Sequence, residues 1–327
     1  MYANQLGSFY HSVGDFEARV ESLERQISRE GERDFHRERL EEALGGVLRA
    51  AADVEAGLSG AGRLLQGTRE TFRALTSGFF CRSPSIERAL RKPRGYAGDH
   101  ALLDMYYLGH KAPRGIDRVL DDVHHATPAV QAVLDRKSYV VRWLAPRIAA
   151  HPACRVVDLA SGPCRMEREL LEGGWGERAR LVAVDQDPEA LVYALEVLGE
   201  YAHRVELVQE NALRIARTRT PHPSLAGARY VVSLGLFDYL SRLVAVNLLR
   251  ALRRLVEPGG EVLVGNFATG NPTRTFMEWA ADWVLVYRSE REFLDLFLDA
   301  GFEARDLTLE RERARGLVLL VSGRVRR

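Results

Sequence analysis

Three polar side chains lie at the ends of three successive strand-like runs in this sequence. Asp158 closes the apolar run in "RVVDLA", Asp185 closes that in "RLVAVDQD", and Asn211 follows the third in "RVELVQENA". In an open α/β sheet, ligands bind just outside the carboxyl ends of the strands. There, Asp158 is suited to a ligand ammonium, Asp185 to ribose hydroxyls and Asn211 to an adenine edge. The pattern predicts a nucleoside-containing cofactor, although Asp185 and Asn211 are also suited to capping the helices that follow them.

The loop after the first strand, "DLASGPCR", keeps a single glycine, Gly162. A dinucleotide fingerprint needs glycine at three positions, one of which lets the backbone approach the pyrophosphate. Ala160 and Pro163 occupy positions where such a fingerprint favours glycine, and proline has no N–H to offer a phosphate. S-adenosylmethionine carries adenosine without phosphate, so one permissive glycine beside its methionine part is enough. The loop therefore favours S-adenosylmethionine over a nicotinamide cofactor.

The elements that must position these residues fall into two halves of the chain. Up to about residue 151 the pattern is helical, and Phe16, Val20, Leu23 and Ile27 share one helix face. That face either packs within its domain, which we favour, or mediates dimerisation. After Pro152, apolar strands alternate with helices, which predicts a parallel sheet covered on both faces, and two last runs predict an antiparallel hairpin at its edge. We place a helical domain, a lid on the acceptor side, at residues 1–128 and a Rossmann-like domain at residues 129–327.

Composition excludes several function classes. The 327 residues are 46% hydrophobic and carry a net charge of +1, so no overall field attracts nucleic acid or a membrane surface. The three cysteines are irregularly spaced and the N-terminal stretch lacks the features of a signal peptide. No apolar run is long enough to span a membrane. We expect a cytoplasmic monomer or homodimer whose partner is a small molecule.

Several stretches resemble known enzymes. "VVDLASGPCR", "VAVDQDPEAL" and "VQENALRI" resemble the successive motifs of class I S-adenosylmethionine-dependent methyltransferases. "RKPRGYAGDHALLDMYY" and "GNFATGNPTRTFMEWAADWVLVYRS" resemble a bacterial subgroup associated with biosynthesis of the extracellular factor 3-hydroxypalmitic acid methyl ester. The resemblance implies an α/β, Rossmann-like sheet of seven strands, the last one antiparallel. The implied cofactor contacts, with their immediate neighbours, are Asp158, Ala160, Gly162, Asp185, Gln186, Asn211, Ala212, Ser233 and Leu234.

Candidates for the methyl acceptor's site come from three segments. In "KPRGYAGDH" and the helix after it, Tyr96, His100 and Tyr106 are suited to acceptor contact or proton removal. The alternative is a plain loop between helices, with Asp99 as the N-cap of the second one. Arg165 and Arg142 are weaker candidates for binding the methionine carboxylate.

The fourth strand end, "SLGLFDYLS", faces the same edge of the predicted sheet. Phe237 and Tyr239 are suited to stacking on an acceptor, and Asp238 to orienting it or acting as a base. The alternative is that both aromatic side chains belong to the core and that Asp238 caps the next helix.

The segment "NPTRTFMEWAADWVLVYRS" follows the fifth strand. Trp279 and Trp283 are four residues apart, so on a helix they share a face, which is suited to packing. Trp283 and Tyr287 are predicted acceptor contacts. Arg288 is predicted either to receive an acceptor carboxylate or to form a surface salt bridge.

A metal is not expected. His124 and His125 are adjacent, which is poor geometry for shared coordination, and we expect them at a solvated helix end or in a loop.

The sequence thus predicts an S-adenosylmethionine-dependent methyltransferase of a small molecule, with a carboxyl or hydroxyl oxygen as acceptor and nitrogen second. A non-catalytic cofactor-binding module is the alternative. Nicotinamide oxidoreductases and nucleic-acid methyltransferases are disfavoured.

Overall fold

A computed structural model describes residues 2–218 and 222–326 of the chain. It divides into two compact units. The helical unit comprises Met1–Val130 and Pro272–Val284, and the sheet unit comprises Gln131–Asn271 and Leu285–Arg327.

Within the described residues, seven helices precede the first strand, and strands then alternate with helices as far as the fifth strand, as the sequence pattern predicts. The helices are α1 (Tyr2–Glu30), α2 (Asp34–Gly57), α3 (Gly62–Phe80), α4 (Pro84–Arg91), α5 (His100–Tyr107), α6 (Gly115–His125), α7 (Pro128–Ala150), α8 (Arg165–Glu172), α9 (Pro188–Leu198), α10 (Ala212–Arg217), α11 (Arg242–Leu255), α12 (Arg274–Ala280) and α13 (Glu290–Asp299). The strands are β1 (Cys154–Leu159), β2 (Ala179–Asp185), β3 (Val205–Gln209), β4 (Ala228–Ser233), β5 (Val256–Phe267), β6 (Leu307–Arg311) and β7 (Val318–Arg324). No helix in the described part of the chain combines the length and apolar character needed to cross a membrane.

The seven strands form one mixed sheet in the order β3-β2-β1-β4-β5-β7-β6. Strands β1 to β5 pair in parallel, whereas β7 runs antiparallel to both β5 and β6. The predicted fold class is confirmed, including the closing hairpin. The chain leaves β1 in one direction through β2 and β3, and then returns to place β4 on the other side of β1. The switch point between β1 and β4 is where ligands bind in sheets of this kind.

The sheet is held between helices because its central strands are apolar on both faces. Val157, Val184 and Val231 are buried and belong to one hydrophobic core together with Leu248 of α11 and Phe293 of α13. Continuous runs of β-branched residues suit strands that are covered on both faces. This core fixes the strand ends from which the candidate site is built.

The helical unit has a core of its own, formed largely by aromatic rings. Trp279 of α12 lies edge-on to Phe9 and Phe72, with ring centroids 5.3 and 5.7 Å apart. The predicted boundary at residues 128/129 assigned Pro272–Val284 to the sheet domain; this segment instead packs with the helical unit, because these rings bury one another. The predicted face on α1 is buried, from Phe16 to Ile27, which confirms packing within the domain.

Two local expectations were wrong. Helix α12 ends at Ala280 and Asp282 has a left-handed φ of 48°, so Trp283 does not continue the helix face of Trp279. His124 and His125 lie in the last turn of α6 and are buried, where a solvated end was expected. The Tyr106 hydroxyl lies 3.0 Å from His124 Nε2. Burial lowers the pKa of His124 to about 3, so this imidazole is neutral and hydrogen-bonded inside the unit.

Candidate active site

The loop after β1 has an unusual backbone. Ala160, Gly162 and Cys164 have φ angles of 60°, 56° and 54°, so every second residue is left-handed. For a residue with a Cβ, this region costs on the order of 1 kcal/mol or more. Ala160 and Cys164 therefore adopt a backbone conformation that favours glycine, although neither is a glycine. Such conformations concentrate at ligand sites, where the surrounding structure enforces them.

Asp185 joins the end of β2 to this loop. Its Oδ2 accepts a hydrogen bond from the Gly162 N–H at 3.0 Å, and its Oδ1 accepts one from the Asp187 N–H at 3.0 Å. The cap of α9 is Asp187, whose side chain accepts from the Glu189 N–H. The capping alternative is therefore wrong for Asp185, which remains at the strand end beside the loop. Its contact with a ribose stays a prediction.

Asn211 caps the next helix, as the alternative for this residue stated. Its Oδ1 accepts from the N–H groups of Leu213 and Arg214 in the first turn of α10. Its Nδ2 donates to Gln186 Oε1 at 2.8 Å, so the structure brings together two residues that the sequence placed at the cofactor site. Half-buried Ala212 begins the same helix. Whether this group also contacts adenine stays a prediction.

Three carboxyl groups are buried together behind the loop, those of Asp158, Glu167 and Asp185. Burial, followed by the charges of Glu167 and Asp185, raises the pKa of Asp158 well above its ordinary value. Burial also raises the pKa of Glu167. The carboxyl groups of Asp158 and Glu167 also form a side-chain hydrogen bond with each other, for which one of them must hold a proton. The cluster therefore favours a cationic ligand group that would replace its protons.

Sequence reasoning missed Glu167. It lies in the first turn of α8, where an acidic residue ordinarily interacts with the positive end of a helix at the surface. Only the packing of α8 against the sheet turns this side chain towards Asp158. The one available signal was its position, one helical turn after the loop.

The end of β4 carries the next predicted residues. The buried Ser233 hydroxyl donates to the Leu159 carbonyl at 2.9 Å and so ties the end of β4 to that of β1. Leu234 follows and is half-buried. Phe237 is fully buried in the sheet-unit core, which agrees with the packing alternative rather than with a stacking surface. Tyr239 is exposed, so the core alternative is wrong for this residue.

Asp238 is buried and braces two neighbouring segments. Its Oδ1 accepts from the Phe267 N–H at 2.6 Å, and its carbonyl oxygen accepts from the Val286 N–H at 2.7 Å. The N-cap of α11 is Ser241, so the capping alternative for Asp238 is wrong. Burial raises the pKa of Asp238 to about 6, opposed by the positive charges of Arg136 and Arg288. An aspartate with this pKa is ionised at neutral pH and is able to accept a proton.

Arg288 donates hydrogen bonds to acceptors inside the sheet unit. The expectation of a surface salt bridge at this residue was therefore wrong. Its guanidinium is buried and donates to the Phe237 carbonyl at 2.8 Å, to Asn266 Oδ1 and to the Leu240 carbonyl. These internal acceptors also leave it poorly suited to the predicted acceptor carboxylate. The half-buried Tyr287 precedes it in the sheet unit.

The remaining acceptor candidates lie in the helical unit. Tyr96 is half-buried, and the side chains of His100, Tyr106 and Trp283 are buried. Asp99 caps α5, as expected, by accepting from the Leu102 N–H at 2.9 Å. The hydroxyl of Tyr106 faces His124, as described above. The roles of these residues towards an acceptor stay predictions.

Comparison with known proteins agrees with this geometry. Residues 156–260 match the family model described as a methyltransferase domain. The matched segment spans the loop, the carboxyl cluster and the ends of the first four strands. Comparison with curated proteins found no match.

Solved structures have folds similar to that of this chain. A possible exported protein from Bordetella parapertussis is 23% identical, with a TM-score of 0.58, over 70% of this chain and 80% of its own. The S-adenosylmethionine-dependent methyltransferase SibL, in its apo form, is 18% identical, with a TM-score of 0.50, over 97% of this chain and 96% of its own. At these identities the likeness concerns the fold alone.

Proposed function

We propose that this protein transfers a methyl group from S-adenosylmethionine to a small-molecule acceptor, at a carboxyl or hydroxyl oxygen. The observation that carries the proposal is the hydrogen bond from Gly162 to Asp185 inside the segment that matches a methyltransferase domain. This contact supports the proposal because the carboxylate that we assign to the ribose is held against a left-handed loop that offers no phosphate cradle. A nitrogen acceptor is the second possibility.

The residues at the strand ends fit this cofactor. The enclosed carboxyl groups of Asp158 and Glu167 suit the ammonium of the methionine part, because a cation would replace the proton that this buried pair shares. The Asp185 carboxylate accepts from the Gly162 and Asp187 N–H groups at the strand end, which is the position that we assign to the ribose. The linked pair of Gln186 and Asn211 offers amide groups at the adjoining strand end. When bound, the cofactor would supply an electrophilic methyl group, and transfer of this group to a nucleophile would leave the sulfur as the thioether of S-adenosylhomocysteine.

The acceptor side of the reaction needs alignment, exclusion of water and, for some acceptors, a base. A carboxylate acceptor attacks without losing a proton, whereas a hydroxyl must be deprotonated. Asp238, whose pKa is raised to about 6, is the group we assign to hold that proton. Exposed Tyr239 and half-buried Tyr287 are proposed acceptor contacts. We also propose acceptor contacts from Tyr96, His100, Tyr106 and Trp283.

The finer assignment rests on two resemblances in the sequence. "RKPRGYAGDHALLDMYY" and "GNFATGNPTRTFMEWAADWVLVYRS" support a place among the enzymes of the extracellular-factor subgroup, and this resemblance supports the enzyme class better than the acceptor. We propose the cytoplasm as the location, since Cys81, Cys154 and Cys164 are all free thiols.

Two measurements test the proposal. The first is a calorimetric titration with S-adenosylhomocysteine, with NAD as the comparison ligand. We expect micromolar binding of the first and none of the second; binding of NAD alone would contradict the cofactor assignment. The second follows formation of S-adenosylhomocysteine from S-adenosylmethionine with hydroxy acids, phenols, carboxylates and amines. Tight binding without turnover on any of them would favour the non-catalytic module.

A further inference from the structure

Arg136 of α7 is a buried arginine whose side chain is not satisfied by the protein. Its exposed fraction is 4%, and its Nε is enclosed without a hydrogen-bond partner among the described residues. The nearest opposite charge is Asp238 Oδ2, 3.8 Å from Nη1, which is an ion pair too long for a hydrogen bond. Arg288, which is equally buried, has three internal acceptors. Burying an unsatisfied cation is unfavourable, so a missing acceptor is expected at Arg136.

The carboxyl group nearest to Arg136 is shared with a second arginine. The guanidiniums of Arg136 and Arg288 both act on the carboxyl group of Asp238, and Glu292 acts on Arg288 as well. Asp238 Oδ1 is already engaged by the Phe267 N–H. A further anion beside Arg136 would give this guanidinium a partner of its own.

The guanidinium lies at the carboxyl end of β4. A Cβ at Gly235 would come within 3.1 Å of Arg136 Nη2, so the absence of a side chain at this glycine leaves room for the arginine. Gly235 directly follows Ser233 and Leu234, the strand end that faces the switch point between β1 and β4. Arg136 is therefore at the edge of the sheet where the proposed function places its ligands.

We propose that Arg136 binds the carboxylate of a small-molecule ligand. A planar guanidinium pairs with a carboxylate through two parallel hydrogen bonds, which would satisfy donors that the protein leaves open. The proposal rests on the proposed function, which offers two sources of this group: the methionine part of the cofactor and a carboxylate acceptor. Sequence reasoning considered Arg165 and Arg142 for the first source. Arg142 is half exposed and paired with Asp135, so it suits this role less well.

The test uses the full chain with Arg136→Gln, and with Arg142→Gln as the matched control on the same helix. The melting temperature of each ligand-free variant is measured first. Because Arg136 is unsatisfied, we expect Arg136→Gln to keep or raise the melting temperature. A large fall in the melting temperature, without any change in ligand affinity, would overturn the proposal in favour of a structural role.

The first arm compares S-adenosylhomocysteine with 5′-methylthioadenosine, which lacks the amino-acid part. If the cofactor supplies the carboxylate, Arg136→Gln weakens S-adenosylhomocysteine at least tenfold and leaves 5′-methylthioadenosine unchanged, while Arg142→Gln changes neither. Equal weakening of both ligands would instead indicate a distorted site and contradict the proposal.

The second arm measures stabilisation by benzoate and octanoate, with and without S-adenosylhomocysteine. If the acceptor supplies the carboxylate, Arg136→Gln abolishes this stabilisation and leaves the affinity for S-adenosylhomocysteine unchanged. A variant that matches the wild type in both arms overturns the proposal. If the wild type binds no S-adenosylhomocysteine, the proposed function fails. Stabilisation by benzoate and octanoate, compared between the wild type and Arg136→Gln, then tests carboxylate binding by Arg136 on its own.

Discussion

The Asp185 carboxylate accepts a hydrogen bond from the Gly162 N–H at 3.0 Å, which fixes the loop after β1 to the end of β2. A strand end and a loop that lie 23 residues apart in sequence are thereby held as one unit. The contact uses the backbone of the residue that the sequence singles out as the remaining glycine. Loss of the carboxylate therefore affects two things, a proposed ribose contact and the position of the loop.

Asp185→Ala should lower the affinity for S-adenosylhomocysteine by about 1–3 kcal/mol, because a buried hydrogen-bonding carboxylate is removed. Calorimetry gives this value directly. Asp187→Ala is the control, since it removes the α9 cap and should cost about 1 kcal/mol of stability without lowering affinity. Equal affinities for Asp185→Ala and the wild type would refute the assignment of Asp185.

The left-handed loop residues should respond to substitution in opposite directions. Gly162→Val places a β-branched side chain at a φ of 56° and should abolish binding while the protein stays folded. Ala160→Gly removes a Cβ at a φ of 60° and should leave stability unchanged or raise it by up to about 1 kcal/mol. Thermal unfolding and ligand titration of both variants check the pair. A clearly destabilised Ala160→Gly would argue against strain in this loop.

Cofactor binding should release protons from the buried carboxyl cluster. Because the pKa values of Asp158 and Glu167 are raised, the folded state holds more protons than the unfolded chain from about pH 4 upwards. The stability these protons supply is present at acid pH and is lost as the pH rises through the raised pKa values. A ligand ammonium favours the ionised carboxylates, so affinity for S-adenosylhomocysteine should rise with pH above the ordinary pKa of a carboxyl group, up to about tenfold per pH unit for each proton released.

Calorimetry in two buffers of different ionisation enthalpy counts the protons released. Glu167→Gln should reduce this number and flatten the pH dependence, because the second carboxyl group is gone. Proton release unchanged from the wild type would exclude Glu167 as the source. Affinity that falls with pH would contradict the whole account of the cluster.

Asp238→Asn distinguishes the two kinds of oxygen acceptor. With a hydroxyl acceptor, the loss of the base should lower kcat by about 10²-fold or more, and the wild-type rate should rise with pH to a plateau above about 6. With a carboxylate acceptor, no base is needed and neither effect is expected. Rates across pH 5–8 with the best acceptor decide. The melting temperature of the variant is checked first, since Asp238 also holds the Phe267 N–H.

Arg288→Met should destabilise the protein by about 3 kcal/mol or more, because three internal acceptors lose their donor. Urea unfolding measures this loss. The contrast with Arg136→Gln, for which no loss of stability is expected, follows from their different hydrogen-bonding. Similar losses of stability for both variants would mean that this contrast is wrong.

The sequence predicts those site residues whose position along the chain also determines their place in the sheet. Asp158, Asp185 and Asn211 stand at or near the ends of apolar strands. Parallel strands bring their carboxyl ends to one edge, so both the fold and these positions were predictable. Glu167 and Arg136 come from helices whose orientation is set by packing, and no local pattern marks an inward-facing charge on a helix. The burial of His124 similarly depends on Tyr106, which belongs to a different helix.

The helical unit is built from two separate stretches of the chain, and this limits the order in which the chain can fold during synthesis. Its aromatic core needs Trp279, whereas Phe9 and Phe72 are made long before. From Val130 to Val284 the ribosome adds 154 further residues (284 minus 130), which takes roughly 8–30 s at about 5–20 residues per second. During that interval the N-terminal helices emerge with an incomplete core. Their completion must wait until most of the sheet-forming sequence has been translated, so the unit that begins first is finished late.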